Sequence, residues 1–127
     1  MAAVEATDRR TVVVVDNDPD ALDLAALDLR LDGHEVVAVG MDGTAAIALC
    51  EEHRPDVLVV DHRMPPGPWG LEVARVVVER FPATRVIVYS NYRDGDLRAL
   101  TEAAGAAFLP KGNLRALRRM VRGAPAT

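Results

Sequence analysis

Apolar residues follow two alternating rhythms along this chain. Val12 to Val15, Val36 to Val39, Val57 to Val60 and Val86 to Tyr89 are unbroken runs of strand length, rich in β-branched residues, and Ala106 to Leu109 is a weaker fifth. Strict alternation would mark strands wetted on one face, whereas continuous Val and Ile mark strands covered on both. Between the runs lie segments of helical period. From Pro19 to Leu31, Leu22, Ala25, Ala26 and Leu29 fall at i, i+3, i+4 and i+7. Asp18 stands where a cap belongs, Pro19 opens the helix and Gly33 follows its end. Further helices are expected over Gly43 to Arg54, capped by Asp42 and stopped by Pro55, and over Leu71 to Phe81, stopped by Pro82. Two more are expected over Asp94 to Ala104 and Asn113 to Arg122.

Strand and helix therefore alternate five times with short connections. That order predicts an α/β fold: a doubly wound, five-stranded parallel sheet with helices on both faces. The one Pro/Gly-rich patch, Met64 to Gly70, lies inside this unit. With 127 residues there is room for one domain, expected over 11–122, with a frayed arm over 1–10 and a short tail over 123–127. The single cysteine, Cys50, excludes an internal disulfide and fits a reducing, cytoplasmic setting. The net charge of −4 argues against a general nucleic-acid binder. No apolar run approaches the ~20 residues of a spanning helix, so no membrane partner is expected.

In an open parallel sheet, ligands bind beyond the carboxyl ends of the strands. Asp16, Asn17 and Asp18 follow the first run, Gly40 and Met41 the second, Asp61 the third, Ser90 the fourth and Lys111 the fifth. Three carboxylates, an amide, a hydroxyl and an ammonium thus converge on one edge. Clustered carboxylates repel one another and need a cation, and an oxygen-only set suits Mg²⁺. An Asp can act as nucleophile toward a phosphoryl group. The transferred group then needs its oxygens neutralised, for which a metal, a Lys and a hydroxyl are the required parts.

Four stretches taken in order carry a family resemblance: Val14 to Pro19, Pro55 to Pro65, Val86 to Ser90 and Ala106 to Lys111. They resemble the receiver domain of two-component response regulators over nearly the whole chain. The resemblance implies flavodoxin-like strand order 2-1-3-4-5. It implies that Asp61 accepts a phosphoryl group from a phosphohistidine on a sensor histidine kinase or phosphotransfer protein. Asp16, Asn17, Asp61 and the backbone carbonyl of Arg63 would hold Mg²⁺ or Mn²⁺, with Asp18 a further candidate. Lys111 and Ser90 would stabilise the phosphoryl group, and Ser90 and Phe108 would form the switch. The output would be a downstream protein or a homodimer, met through the fourth helix, fifth strand and fifth helix. Such a domain is not an enzyme in the ordinary sense, since its chemistry is its own phosphorylation and dephosphorylation.

The sequence departs from the family pattern at several points. Asn17 stands where a second acid is usual, so weaker metal binding is expected. Asn91 and Trp69 replace smaller residues, and Gly105 is six rather than seven positions before Lys111. A degenerate receiver that signals without phosphate is the first alternative. A haloacid-dehalogenase-like phosphatase using Asp16 as nucleophile and Asp18 as acid/base is the second. It would need an acidic motif after Lys111, and no Asp or Glu follows Glu102. A dinucleotide site would need a Gly-x-Gly-x-x-Gly turn, which is absent.

Other residues admit plainer readings. Asp18 can be a simple cap. His34, His53 and His62 are spread over different elements and form no metal set. Cys50 reads as a small core residue. Trp69 is either a partner anchor or a lid on the proline loop. Arg115, Arg118, Arg119 and Arg122 form a basic stripe that is either a solvated face or a docking surface.

Overall fold

The computed structural model describes residues 9–92 and 95–123. Among these, five strands alternate with five helices. The strands are β1 (Thr11–Val15), β2 (Glu35–Gly40), β3 (Val57–Val60), β4 (Arg85–Ser90) and β5 (Ala107–Pro110). The helices are α1 (Pro19–Leu31), α2 (Gly43–His53), α3 (Gly70–Arg80), α4 (Gly95–Ala103) and α5 (Leu114–Arg122). All pairings are parallel and the strand order is β2-β1-β3-β4-β5, as the sequence predicts. Asp94, expected to open the fourth helix, lies outside the described residues, as do most of the expected arm and tail.

Side chains alternate across each strand, so the sheet builds two cores. Val13, Val15, Leu58, Val60, Val86, Val88 and Phe108 face Ala46, Cys50, Val73, Val77 and Leu97 of α2, α3 and α4. Val12, Val14, Val57, Val59, Ile87, Tyr89 and Leu109 face Leu22, Ala25, Leu29, Leu117 and Val121 of α1 and α5. The central strands β1, β3 and β4 are buried almost throughout, which is why their sequences read as unbroken Val and Ile. β2 corrects the expectation of cover on both faces. It is half-buried at best, and Val39 is exposed, because the strand order leaves it at the sheet edge.

The helix ends follow local chemistry. Asp18 caps α1 by accepting the Asp20 N–H at 3.1 Å, and Asp42 caps α2 through the Ala45 N–H at 2.7 Å. α2 stops one residue before the expected end, because Arg54 adopts a left-handed conformation (φ 44°) ahead of Pro55. α5 ends on a left-handed Gly123 (φ 103°), whose N–H donates to the carbonyls of Arg119 and Met120, and the distant Arg85 guanidinium adds bonds to the carbonyls of Met120 and Val121, at 2.9 and 2.7 Å.

Candidate functional site

The acidic, amide, hydroxyl and ammonium candidates sit where strands stop, and backbone bonds tie neighbouring strand ends together. The Asp16 N–H donates to the Gly40 carbonyl at 3.1 Å, and the Asp61 N–H to the Val15 carbonyl at 3.0 Å. The Lys111 N–H donates to the Ser90 carbonyl at 3.1 Å. Asp16, Asn17, Asp61, Ser90 and Lys111 thereby reach one edge of the sheet.

Two buried carboxylates share one ammonium there. Lys111 Nζ lies 2.6 Å from Asp16 Oδ2 and 3.4 Å from Asp61 Oδ2. The other oxygens take backbone donors: Asp16 Oδ1 accepts the Asp18 N–H at 2.9 Å, and Asp61 Oδ1 the His62 N–H at 2.8 Å. Burial pushes the Asp16 carboxyl above its ordinary value, more than Lys111 and the Asp18 N–H pull it down, and the Asp61 charge adds to the rise. Burial pulls the Lys111 ammonium down, but its hydrogen bond to Asp16 and the fields of both carboxylates outweigh this and hold it above the usual lysine value. The directions agree physically. One cation between two acids is strongly retained, while the acids are left short of positive charge.

A cleft of about 480 Å³ opens beside this group, lined by Asn17, Asp61, Arg63, Pro65, Ser90, Asn91, Tyr92 and Lys111. Tyr92, on its wall, belongs to a cluster of three rings. The His62 ring meets Trp69 edge-on at 5.3 Å and Tyr92 at 5.0 Å, and Trp69 and Tyr92 stand 6.4 Å apart. The Tyr92 N–H donates to Ser90 Oγ at 3.1 Å. α3 starts against the acceptor loop: the Gly70 N–H donates to the His62 carbonyl at 2.7 Å, and a Cβ on Gly70 would fall 2.4 Å from the Asp61 carbonyl oxygen. Only glycine fits there. A second cavity, of about 510 Å³, continues past Ser90 and Tyr92 toward α4, lined also by Arg98 and Phe108. The buried Phe108 ring lies under the Arg98 guanidinium, 5.2 Å from its centroid.

The structure thus brings together Asp16, Asp61 and Lys111, and sets Asn17, Arg63 and Ser90 around the cleft they border. Asp18 is exposed and serves as the α1 cap, so its placement favours the plain reading over the metal one. Trp69 is half-buried at the mouth of the proline loop. In the basic stripe, Arg118 pairs with Asp28 at 2.7 Å and Arg122 pairs with Asp32, both across to α1 and its end, and Arg115, Arg119 and Arg122 are solvent-exposed. Sequence reasoning missed the His62–Trp69–Tyr92 cluster. The only signal was three aromatic rings in two loops, His62 and Trp69 between β3 and α3 and Tyr92 after β4.

A model of the response regulator receiver domain matches residues 12–122. The chain belongs to that family. This receiver is 43% identical over 60 residues to the oxygen regulatory protein NreC of Staphylococcus haemolyticus, and 41% identical over 63 residues to that of Staphylococcus carnosus. These matches cover 47% and 50% of the receiver but only 28% and 29% of the relatives, so the chain spans less than a third of their length. Among solved structures it resembles the signal receiver domain of NarL from Mycobacterium tuberculosis, with a TM-score of 0.81 and 31% identity over 91% of this chain and 98% of that one. It also resembles a LuxR-family two-component response regulator from Aurantimonas, with a TM-score of 0.79 and 25% identity over 91% and 87%. The fold, strand order and signalling class read from the sequence are those of this family.

The donor set fits a hard divalent cation. Among the described residues no three His, Cys, Asp or Glu side chains gather as metal ligands. Asp16 and Asp61 would therefore be its charged donors, with the Asn17 amide and the Arg63 carbonyl as neutral ones. One or two carboxylates with carbonyl and water oxygens is an ordinary Mg²⁺ shell.

Proposed function

We propose that this receiver accepts a phosphoryl group on Asp61 from a phosphohistidine of a sensor kinase or phosphotransfer protein, and that the modified form presents an altered protein-binding surface. The observation that carries the reading is the pair of buried carboxylates sharing the single Lys111 ammonium beside an open cleft. Asp61 Oδ2 is the nucleophile: a P–O bond forms, the P–N bond to the imidazole breaks, and the imidazole, already protonated on its other ring nitrogen, leaves as a neutral ring with the electron pair of that bond. Lys111 follows the new phosphoryl oxygens and partly lets go of Asp16. Asp16, Asn17, Asp61 and the Arg63 carbonyl hold Mg²⁺ or Mn²⁺, which when bound neutralises charge on the phosphoryl oxygens. Asn17 adds an oxygen but no charge, so this site is weaker than one with a third acid.

The switch begins at Ser90. Its hydroxyl turns to the phosphoryl oxygens and away from the Tyr92 N–H that it now accepts. The loop from Ser90 to Tyr92 shifts with it, and the adjoining cavity gives Phe108 and α4 room to follow. This is a population shift biased by one new charge. Incubation with a small phosphodonor and Mg²⁺ tests the reading. One phosphoryl group per chain is expected on the wild type and none on Asp61→Asn. Absence of labelling on the wild type would instead mark a receiver that signals without phosphate.

A further inference from the structure

α1 is apolar on two opposite faces. Leu22, Ala25, Ala26 and Leu29 are buried against the sheet. Leu24, Leu27 and Leu31 point away from it and are 55, 53 and 79% exposed. Their spacing, i, i+3 and i+7, is that of a coiled-coil seam. One apolar face suffices to hold a surface helix on its sheet, and clustered exposed leucines on the other mark a contact surface.

We propose that this stripe docks against the same stripe of a second copy of the chain, with the two α1 helices antiparallel. The exposed charges on one flank favour that occupant. Asp23 lies toward the N-terminal end of the stripe and Arg30 toward the C-terminal end, both exposed and on the same flank. In an antiparallel pair related by a two-fold axis, like flanks lie side by side. The Asp23 of one copy then faces the Arg30 of the other, twice over. A parallel pair would instead set this flank beside the one bearing Asp28 and Asp32, which are already engaged by Arg118 and Arg122. Three leucines and two reciprocal ion pairs bury much less than the ~800 Å² per partner of a standard interface, so the dimer is weak and concentration-dependent.

Sedimentation equilibrium of the unphosphorylated full chain, from about 10 µM to about 1 mM, tests this. Reversible dimer formation is expected within that range. Leu27→Asp should weaken it by about tenfold or more while leaving the circular dichroism and thermal unfolding of the monomer unchanged. Asp23→Arg alone should also weaken it, and Asp23→Arg combined with Arg30→Asp should restore it. A chain that stays monomeric throughout overturns the proposal, as does a dimer indifferent to Leu27→Asp or a charge reversal that the second change does not rescue. Monomeric behaviour with a stripe needed only for binding a helix of another protein would assign the surface to that partner instead.

Discussion

Lys111 is the residue on which the chemistry of the site turns. Its ammonium occupies the space between Asp16 and Asp61 that a divalent cation would otherwise share. Lys111→Met should therefore bind Mg²⁺ more tightly than the wild type yet accept phosphoryl groups more slowly, measured by Mg²⁺ titration of Trp69 fluorescence and by labelling rate. Asn17→Asp adds a charged donor and should raise Mg²⁺ affinity several-fold in the same titration. His34 carries a pH dependence far from the cleft. Burial holds its imidazole below the ordinary histidine value, against the pull of Asp32 at 3.3 Å. The unfolded chain then binds that proton more readily than the folded one. Its stability contribution is intact above pH ~6.5 and falls away as the pH drops below that. The urea midpoint should decline between neutral pH and pH ~5.5, and His34→Gln should flatten that decline. Cys50 is inert by the same physics, since burial pushes its thiol up to about 12, as its reading as a core residue implies.

At the scale of elements, the start of α3 governs the acceptor loop. The missing Cβ of Gly70 lets the helix close onto the Asp61 and His62 backbone. Gly70→Ala should move that backbone, cutting phosphoryl acceptance at Asp61 more severely than it lowers the melting temperature. Much at this scale was legible in the sequence. Hydrophobic period and caps placed α1 at its observed bounds, because Asp18, Pro19 and Gly33 act through their nearest neighbours. The strand ends gave Asp16, Asp61, Ser90 and Lys111, because parallel winding carries every strand end to the same edge. What was not legible depends on distant partners. The exposure of β2 follows from its place at the sheet edge, the Arg118 and Arg122 pairings from the contact of α5 with α1, and the added hold on the last α5 carbonyls from Arg85 on β4. The aromatic cluster joins the loop after β3 to the loop after β4, which only the completed fold brings within reach.

For the molecule as a whole, the sheet supplies a rigid platform with its acid-rich edge at one end and two helical layers that can transmit strain. No helix among the described residues is long and apolar enough to cross a membrane. Binding of Mg²⁺ to the native state alone should raise the melting temperature with increasing Mg²⁺ concentration, and Asp16→Asn should abolish that rise. The central claim is that Asp61, and not Asp16, carries the phosphoryl group. Its most direct test is to label the protein with a phosphodonor and Mg²⁺, reduce the acyl phosphate with borohydride, and find the reduced residue by peptide mass mapping. Reduction at position 61 alone is the expected result. Reduction at position 16, or labelling that survives Asp61→Asn, would contradict the account.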